Sequence, residues 1–459
     1  MAAAFFVPAC SEPCCTVDSF PIGLVPLESP VNGGGGLVAR ARDQNGAEWF
    51  NMSIDTGASL TFFRRRADRN EGSQMVLRNF DILDAQPPGA DPVVRGMFRG
   101  IEVLPLDLDP YPQRREAVLG GSFLQNFVIE LDFAKPAMTF WSRQGATDGF
   151  LTTAGFAIIH FELFGGAELT ARSRPDFLGL TGPVQVPATR IVLRGCGAPA
   201  AFDPDAAEPE LCCQRGDEMS RATGADLALM VATGVGPLVL TQSAWNRVAT
   251  AQSTPLPEPV PGADLQLPTL AAPLGGVSWS TLPRLALVDQ EIDDANDPGA
   301  CVELGRARRL EWVEHHQPDA DAKCGTSCTG ACPQLCDTDV RAAGKAQNAA
   351  AYIEFGDGIP VAIVPDGTPL FQGLRAEIRP EGPELDGMIG AGVLARSRLE
   401  LDYRSDAKRA LFSCARDAAR TACWTSPRCQ RLSNSTDRRS CFGRPTRSLP
   451  AMCLPSGCG

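Results

Sequence analysis

Apolar and polar residues alternate through Phe50, Asn51, Met52, Ser53, Ile54 and Asp55. A period of two sends Phe50, Met52 and Ile54 to one face and Asn51, Ser53 and Asp55 to the other. The run therefore predicts a half-buried strand whose polar face ends at Asp55. Upstream, Asn45-Gly46 separates it from LVARARD, and this residue pair marks a tight hairpin between two strands. Gly33 to Gly36 read as a flexible entry to that hairpin. Pro87, Pro88, Gly89, Gly96 and Gly100 then interrupt the pattern, as expected of a β-rich region with a mobile hairpin. AVLGGSFLQNFVIELDF resumes with strand, short helix and strand, and this first unit ends near Trp141.

The same pattern returns later in the chain. VLGGSFLQNFVIELDF from Val118 recurs as MIGAGVLARSRLELDY from Met388, pairing Gly120 with Gly390, Leu124 with Leu394, and Glu130-Leu131-Asp132 with Glu400-Leu401-Asp402 at a constant offset of 270 residues. Upstream, SIDTGASLTFF has a counterpart in MVATGVGPLVL at an offset of 177, which sets Asp55 opposite Ala232, Thr56 opposite Thr233, Gly57 opposite Gly234 and Ser59 opposite Gly236. Two repeats of one unit are predicted. The second is longer between its motifs by 93 residues (270 less 177), and the excess is assigned to an insertion at about 249–350 that includes CGTSCTGACPQLC.

An apolar strand running into Asp55-Thr56-Gly57-Ala58-Ser59, then Val118-Leu119-Gly120 ending 65 residues after Asp55, resembles the aspartic peptidases. The likeness is to the pepsin-like two-lobe arrangement, with lobes of retropepsin-like length, and covers roughly residues 20 to 414. A D-T-G triplet alone arises by chance in roughly one chain in ten of this length, whereas the downstream glycine motif and the second copy make the pattern specific. The resemblance implies a mainly β, bilobal fold with a cleft between the lobes, a flap from about Met75 to Leu104, and one catalytic Asp from each lobe. It further implies that each Thr bonds across to the other lobe, that the Gly admits a close backbone approach, and that the Ser holds the carboxylate. No cofactor and no metal are implied.

Two adjacent carboxyl groups sharing one proton supply both the base that activates water and the acid that protonates the carbonyl oxygen. Asp55, Thr56, Gly57 and Ser59 fill the four positions of the first copy. In the second, Thr233 and Gly234 remain, but Ala232 stands at the place of the second Asp and Gly236 at that of its Ser. The architectural residues are kept and the chemical ones are gone. Asp226 lies six residues before Ala232, about 20 Å along a strand, and cannot substitute. Asp366, between Pro365 and Gly367, reads as a turn residue. The flap contains no tyrosine, since the chain has only Tyr111, Tyr352 and Tyr403.

Composition narrows the function classes. With 54 acidic against 42 basic residues, a formal charge of −12 argues against nucleic acid as a partner. The longest uncharged run, Leu227 to Asn246, is broken by Gly234, Gly236, Pro237 and Gln242, so no transmembrane span is predicted. The 17 cysteines avoid residues 16–195 and gather at Cys212/Cys213, at Cys324, Cys328, Cys332 and Cys336, and from Cys414 to Cys458. Such clusters read as disulfide staples of loop-rich segments in an oxidising compartment. The C-x-x-x-C series beside His315 and His316 does not match paired zinc-ligand spacing. MAAAFFVPAC resembles the end of a lipoprotein signal, with Cys10 as the residue to be lipidated, although it lacks a basic start. Lysine occurs only at 135, 323, 345 and 408, and the abundance of arginine over it suggests a bacterial, GC-rich genome.

The expected organisation is an N-terminal segment 1–35, a first lobe 36–150, a second degenerate lobe 151–414 with its insertion, and a basic cysteine-rich tail 415–459. The expected protein is a monomeric, secreted or cell-envelope pseudopeptidase that takes an extended peptide or protein in the interlobe cleft. The alternatives are an active endopeptidase using Asp55 with a nonstandard second acid, and a disulfide-rich surface scaffold or adhesion protein.

Overall fold

The computed structural model describes residues 19–23, 25–26, 37–43, 49–65, 74–83, 94–106, 115–132, 137–141, 156–166, 168–169, 184–197, 225–252, 254–265, 274–288, 352–356, 358–378, 384–403, 408–414 and 423–424. Cys10, the cysteine clusters at 212–213 and 324–336, His315, His316 and nearly all of the basic tail lie outside the described residues.

The chain is mainly β. Its first half carries Ser19–Gly23 (β1), Val25–Pro26 (β2), Leu37–Asp43 (β3), Trp49–Ile54 (β4), Phe62–Arg64 (β5), Val76–Leu83 (β6), Val94–Leu106 (β7), Arg115–Leu119 (β8), Gly121–Leu124 (α1), Val128–Asp132 (β9) and Ala137–Trp141 (β10). Then follow Phe156–His160 (β11), Glu162–Phe164 (β12), Glu168–Leu169 (β13), Val184–Gln185 (β14), Arg190–Gly197 (β15), Ala225–Ala232 (β16), Leu238–Thr241 (β17), Gln242–Thr250 (α2), Val260–Pro261 (β18), Ser278–Leu282 (β19) and Leu285–Val288 (β20). The last stretch adds Tyr352–Phe355 (β21), Ile359–Val364 (β22), Pro369–Ile378 (α3), Gly387–Gly390 (β23), Ala391–Leu394 (α4), Ser397–Asp402 (β24), Arg409–Cys414 (β25) and Cys423–Trp424 (β26).

In the first half, the strands run β2-β3-β4-β8-β5-β7-β6, and a β3–β6 pairing closes six of them into a ring. The alternation read from Phe50 to Ile54 is realised: Phe50, Met52 and Ile54 enter the main core, and Ser53 and Asp55 face the other way. A run of phenylalanines fills this half, with Phe50, Phe63, Phe80, Phe98, Phe123, Phe127 and Phe140 linked by ring-to-ring distances of 4.8 to 6.3 Å. Phe80 and Phe98 thereby fasten the β6/β7 hairpin to α1 through Phe123, by aromatic contacts that add directional attraction to burial.

The second half repeats this plan in a larger sheet, β18-β19-β22-β17-β23-β16-β15-β20-β21-β26. The two sequence offsets reappear as strand register. β4 runs parallel to β8 with Ile54 beside Leu119, and β16 runs parallel to β23 with Val231 beside Ile389. β5 meets β8 at Phe62 and Val118, and β17 meets β23 at Val239 and Met388. Turn hydrogen bonds match as well: Gly121 N to Ala58 O and Ala391 N to Val235 O are both 2.6 Å.

A third sheet, β1-β10-β9-β24-β25-β11, takes strands from both halves and joins them at β9 and β24. Glu130 faces Glu400 at its centre, and both are buried. Two like charges opposite each other are costly without a cation. Arg398 forms an ion pair with Glu130, and although burial pushes its guanidinium below the ordinary value, the charge of Glu400 works the other way.

Three segments depart from the boundaries expected from sequence. β18, β19 and β20, from residues 260–288, fall in the stretch assigned to an insertion, yet β19 pairs with β22 and β20 with β15, so they are integral to the second sheet. The offset comparison measures length between motifs and cannot tell added strands from added loop. β1, from the N-terminal segment 1–35, pairs with β10, and β26, from the tail, pairs with β21. Cys196 on β15 is buried and disulfide-bonded.

Candidate functional site

Asp55 directly follows β4, and its backbone N–H donates to Leu119 O at 3.1 Å, which ties the residue to the end of β8. The side chain is buried. Ala232 ends β16, the equivalent strand of the second half, and the two loops that follow meet back to back.

The meeting is locked by two threonines. Thr56 N donates to Thr233 Oγ1 (3.1 Å) and Thr56 Oγ1 donates to Val231 O (2.9 Å). Reciprocally, Thr233 N donates to Thr56 Oγ1 (3.2 Å) and Thr233 Oγ1 donates to Ile54 O (2.9 Å). Each hydroxyl donates once and accepts once, and both residues are buried, so no water replaces a lost partner. Thr56→Val or Thr233→Val is expected to cost about 2 kcal/mol, and the double change less than the sum, because both cut one network. Urea unfolding of the two single variants and the double variant checks this.

One oxygen of the carboxylate takes two backbone N–H groups. Gly57 N donates to Asp55 Oδ1 at 2.8 Å, as local geometry allows, and Gly234 N from the opposite half donates to the same oxygen at 3.2 Å. By the repeat, Gly234 N is the donor that would serve an acid at 232. With Ala232 there, the donor is taken up by Asp55. The fit is close: a Cβ on Gly57 would lie 2.8 Å from Ala232 Cβ and 3.1 Å from Asp55 Oδ1, so only glycine is tolerated.

Ser59 departs from what the resemblance implied. Its Oγ is buried with no hydrogen-bond partner, and it is the carbonyl that is used, accepting from Ser122 N (2.8 Å) and from Thr189 Oγ1 (3.4 Å). Gly120 and Gly390, the paired glycines, cap α1 and α4 and pack against the site loops. A Cβ would lie 2.0 Å from Leu60 O at Gly120 and 2.3 Å from Pro237 O at Gly390.

Neither alternative acid reaches this point. Asp226 sits opposite Cys196 in the β15/β16 register and pairs with Arg194 Nε at 3.1 Å. Asp366 lies beyond the Thr241–Val364 end of the parallel β17/β22 pair, the end remote from Gly234, where it accepts from Ser243 N (3.0 Å) and Ser243 Oγ (2.7 Å) at the start of α2. Burial works to raise its pKa, but the Ser243 bonds, with Arg375 and Thr241, outweigh burial and hold Asp366 below its ordinary value.

Three residues near the site carried no sequence signal. Arg190 and Glu377 form a buried ion pair against the Gly57 loop. Tyr403, just past β24, is buried with its hydroxyl unbonded. Burial first, and the charge of Asp55 second, push that hydroxyl above its ordinary value, so it remains a neutral phenol.

Among the described residues, no group of three or more His, Cys, Asp or Glu is placed to hold a metal ion, and no helix is long and apolar enough to cross a membrane. No protein-family model and no curated protein matches the chain. Solved structures do. The chain is similar to an aspartic proteinase from Irpex lacteus at 11% identity and a TM-score of 0.36, over 88% of this chain and 99% of that one. It is also similar to basic 7S globulin from soybean (10%, 0.40, over 88% and 98%) and to conglutin gamma, a basic 7S globulin from lupine seeds (8%, 0.41, over 86% and 95%).

Proposed function

We propose that this protein is an aspartic-peptidase-like pseudopeptidase of two lobes, which binds an extended peptide or protein segment in the cleft between them and does not hydrolyse it efficiently. The observation that carries the reading is the single carboxylate: Asp55 Oδ1 takes N–H groups from both halves, and the facing position is the methyl of Ala232. A single carboxylate can accept a proton from water, but the methyl at 232 offers no second carboxyl group to donate one to the substrate carbonyl. Asp226 and Asp366 are held elsewhere, which supports loss of the second acid rather than its relocation.

The β6/β7 hairpin spans the residues read as a flap, which supports binding of an extended segment beneath it as an added strand, with backbone hydrogen bonds supplying much of the affinity. The cysteine clusters and the bonded Cys196 support an oxidising location, and we place the protein outside the cytoplasm, secreted or held at the envelope through Cys10.

Calorimetric titration of the pure protein with a statine-containing hexapeptide and with a pool of extended peptides tests the binding half of this reading. Binding that is weakened at least roughly tenfold by Asp55→Asn is expected, as for loss of a charge-assisted contact. Folded wild type that binds none of them would leave the scaffold reading in its place.

A further inference from the structure

Arg190 opens β15, and its side chain is only 3% exposed. A guanidinium at that depth has to be paired and hydrogen-bonded to exist. Glu377, near the end of α3 and equally buried, accepts from Arg190 Nε at 2.8 Å and lies 2.6 Å from NH2. The remaining arm, NH1, donates to the carbonyl of Gly57 and lies 3.5 Å from Met230 Sδ. The fork thus bridges an acid in the second half to the residue two places after Asp55 in the first.

Gly57 is consequently fixed on both sides of its Cα, its N–H on Asp55 Oδ1 and its C=O on Arg190. The neighbouring Thr189 reinforces this. Its Oγ1 bonds Ser59 O, and a Cβ on Gly121 would lie 2.2 Å from that Oγ1, so the two surfaces are in full contact. Val184 and Val186, just upstream, bury themselves against Ala58, Leu60, Phe62 and Val118. The stretch from Val184 to Arg190 lies along the Asp55 loop as a strap, with a directed cation at its end.

We propose that Arg190, clamped by Glu377, is the positioning residue of the site: it holds the Gly57 turn in the geometry that keeps the Gly57 and Gly234 N–H groups on one oxygen of Asp55, so that a ligand meets a fixed carboxylate. This rests on the reading that ligands are recognised at Asp55. Stability alone does not account for the pair, because a buried ion pair is commonly matched or exceeded by apolar residues of similar volume. What the ion pair adds is a donor aimed at one carbonyl.

The test compares wild type with Arg190→Met/Glu377→Leu, which removes both charges together, and with Glu377→Gln, a near-isosteric change that keeps an acceptor for Arg190 but removes its counter-charge. Melting temperature, amide hydrogen exchange at Gly57 and Gly234, and affinity for the statine-containing hexapeptide are measured on each. The expected result is faster exchange at both glycines, by roughly tenfold in the double variant and less in Glu377→Gln, without a matching loss of melting temperature in the double variant. Hexapeptide affinity falls in the same order. Unchanged exchange at Gly57 and Gly234 in folded variants would overturn the proposal. If wild type does not bind the hexapeptide, the ligand reading fails by itself, and the exchange comparison still decides whether Arg190 sets the loop.

Discussion

Gly120→Ala and Gly390→Ala are each expected to destabilise the protein by about 3 kcal/mol or more, a large share of the 5 to 15 kcal/mol that holds a typical domain together. The cause is steric and not conformational, since Gly120 (φ −104°) and Gly390 (φ −93°) both occupy backbone that any residue adopts. The added methyl would meet main-chain carbonyls of the site loops, 2.0 Å away at Leu60 and 2.3 Å at Pro237, and main chain cannot rotate aside as a side chain can. The first loop is further held by Gly121 N on Ala58 O and the second by Ala391 N on Val235 O, so relief by backbone shift breaks the bonds that place Asp55 and Ala232. Gly367→Ala serves as the control, with no atom within 4 Å of its methyl. Urea midpoints for the three variants decide the matter: a large drop for the first two and little change for the third. Equal midpoints would mean that the loops are looser than the contacts indicate.

The other large effect is a gain. Ala232→Asp with Gly236→Ser is expected to raise peptide cleavage at acid pH by at least roughly 100-fold over wild type, the lower end of what acid and base assistance contributes. The scaffold for it is in place. The backbone at 232 already carries a Cβ facing Gly57, and the Thr56–Thr233 network holds the two loops in mirrored positions. Gly234 N, now spent on Asp55 Oδ1, is two residues after 232, in the relation that Gly57 N bears to Asp55, and is free to turn to a new carboxylate. Two carboxyl groups across this short gap would titrate as a pair, one ionised and one protonated over a shared pH range. A folded double variant as inert as wild type would show that the obstacle lies elsewhere than in the missing acid.

Much of the fold is legible in the sequence because it is written twice. The alternation from Phe50 to Asp55 sets the strand, and the offsets of 177 and 270 residues are the ones that strand register reproduces at Ile54 with Leu119 and Val231 with Ile389. Ala232 opposite Asp55 is equally plain, since the repeat aligns the two at a fixed offset. What escapes the sequence is whatever depends on chain segments with no repeat to compare. Residues 260–288 look like insertion until their pairing with β15 and β22 is seen. Arg190 and Glu377 stand 187 positions apart, and neither a lone arginine opening an apolar strand nor a glutamate late in a helix announces a buried pair. Ser59 illustrates the reverse limit: its place in the motif is right, yet its hydroxyl is unbonded.

Cleavage of a mixed peptide library by pure wild type and Asp55→Asn from about pH 3 to 8 tests whether Asp55, facing an alanine at 232, leaves peptides intact. No cleavage above background is expected from either protein at any pH. Cleavage by wild type that disappears in Asp55→Asn would contradict it, since a second acid would then have to complete the site.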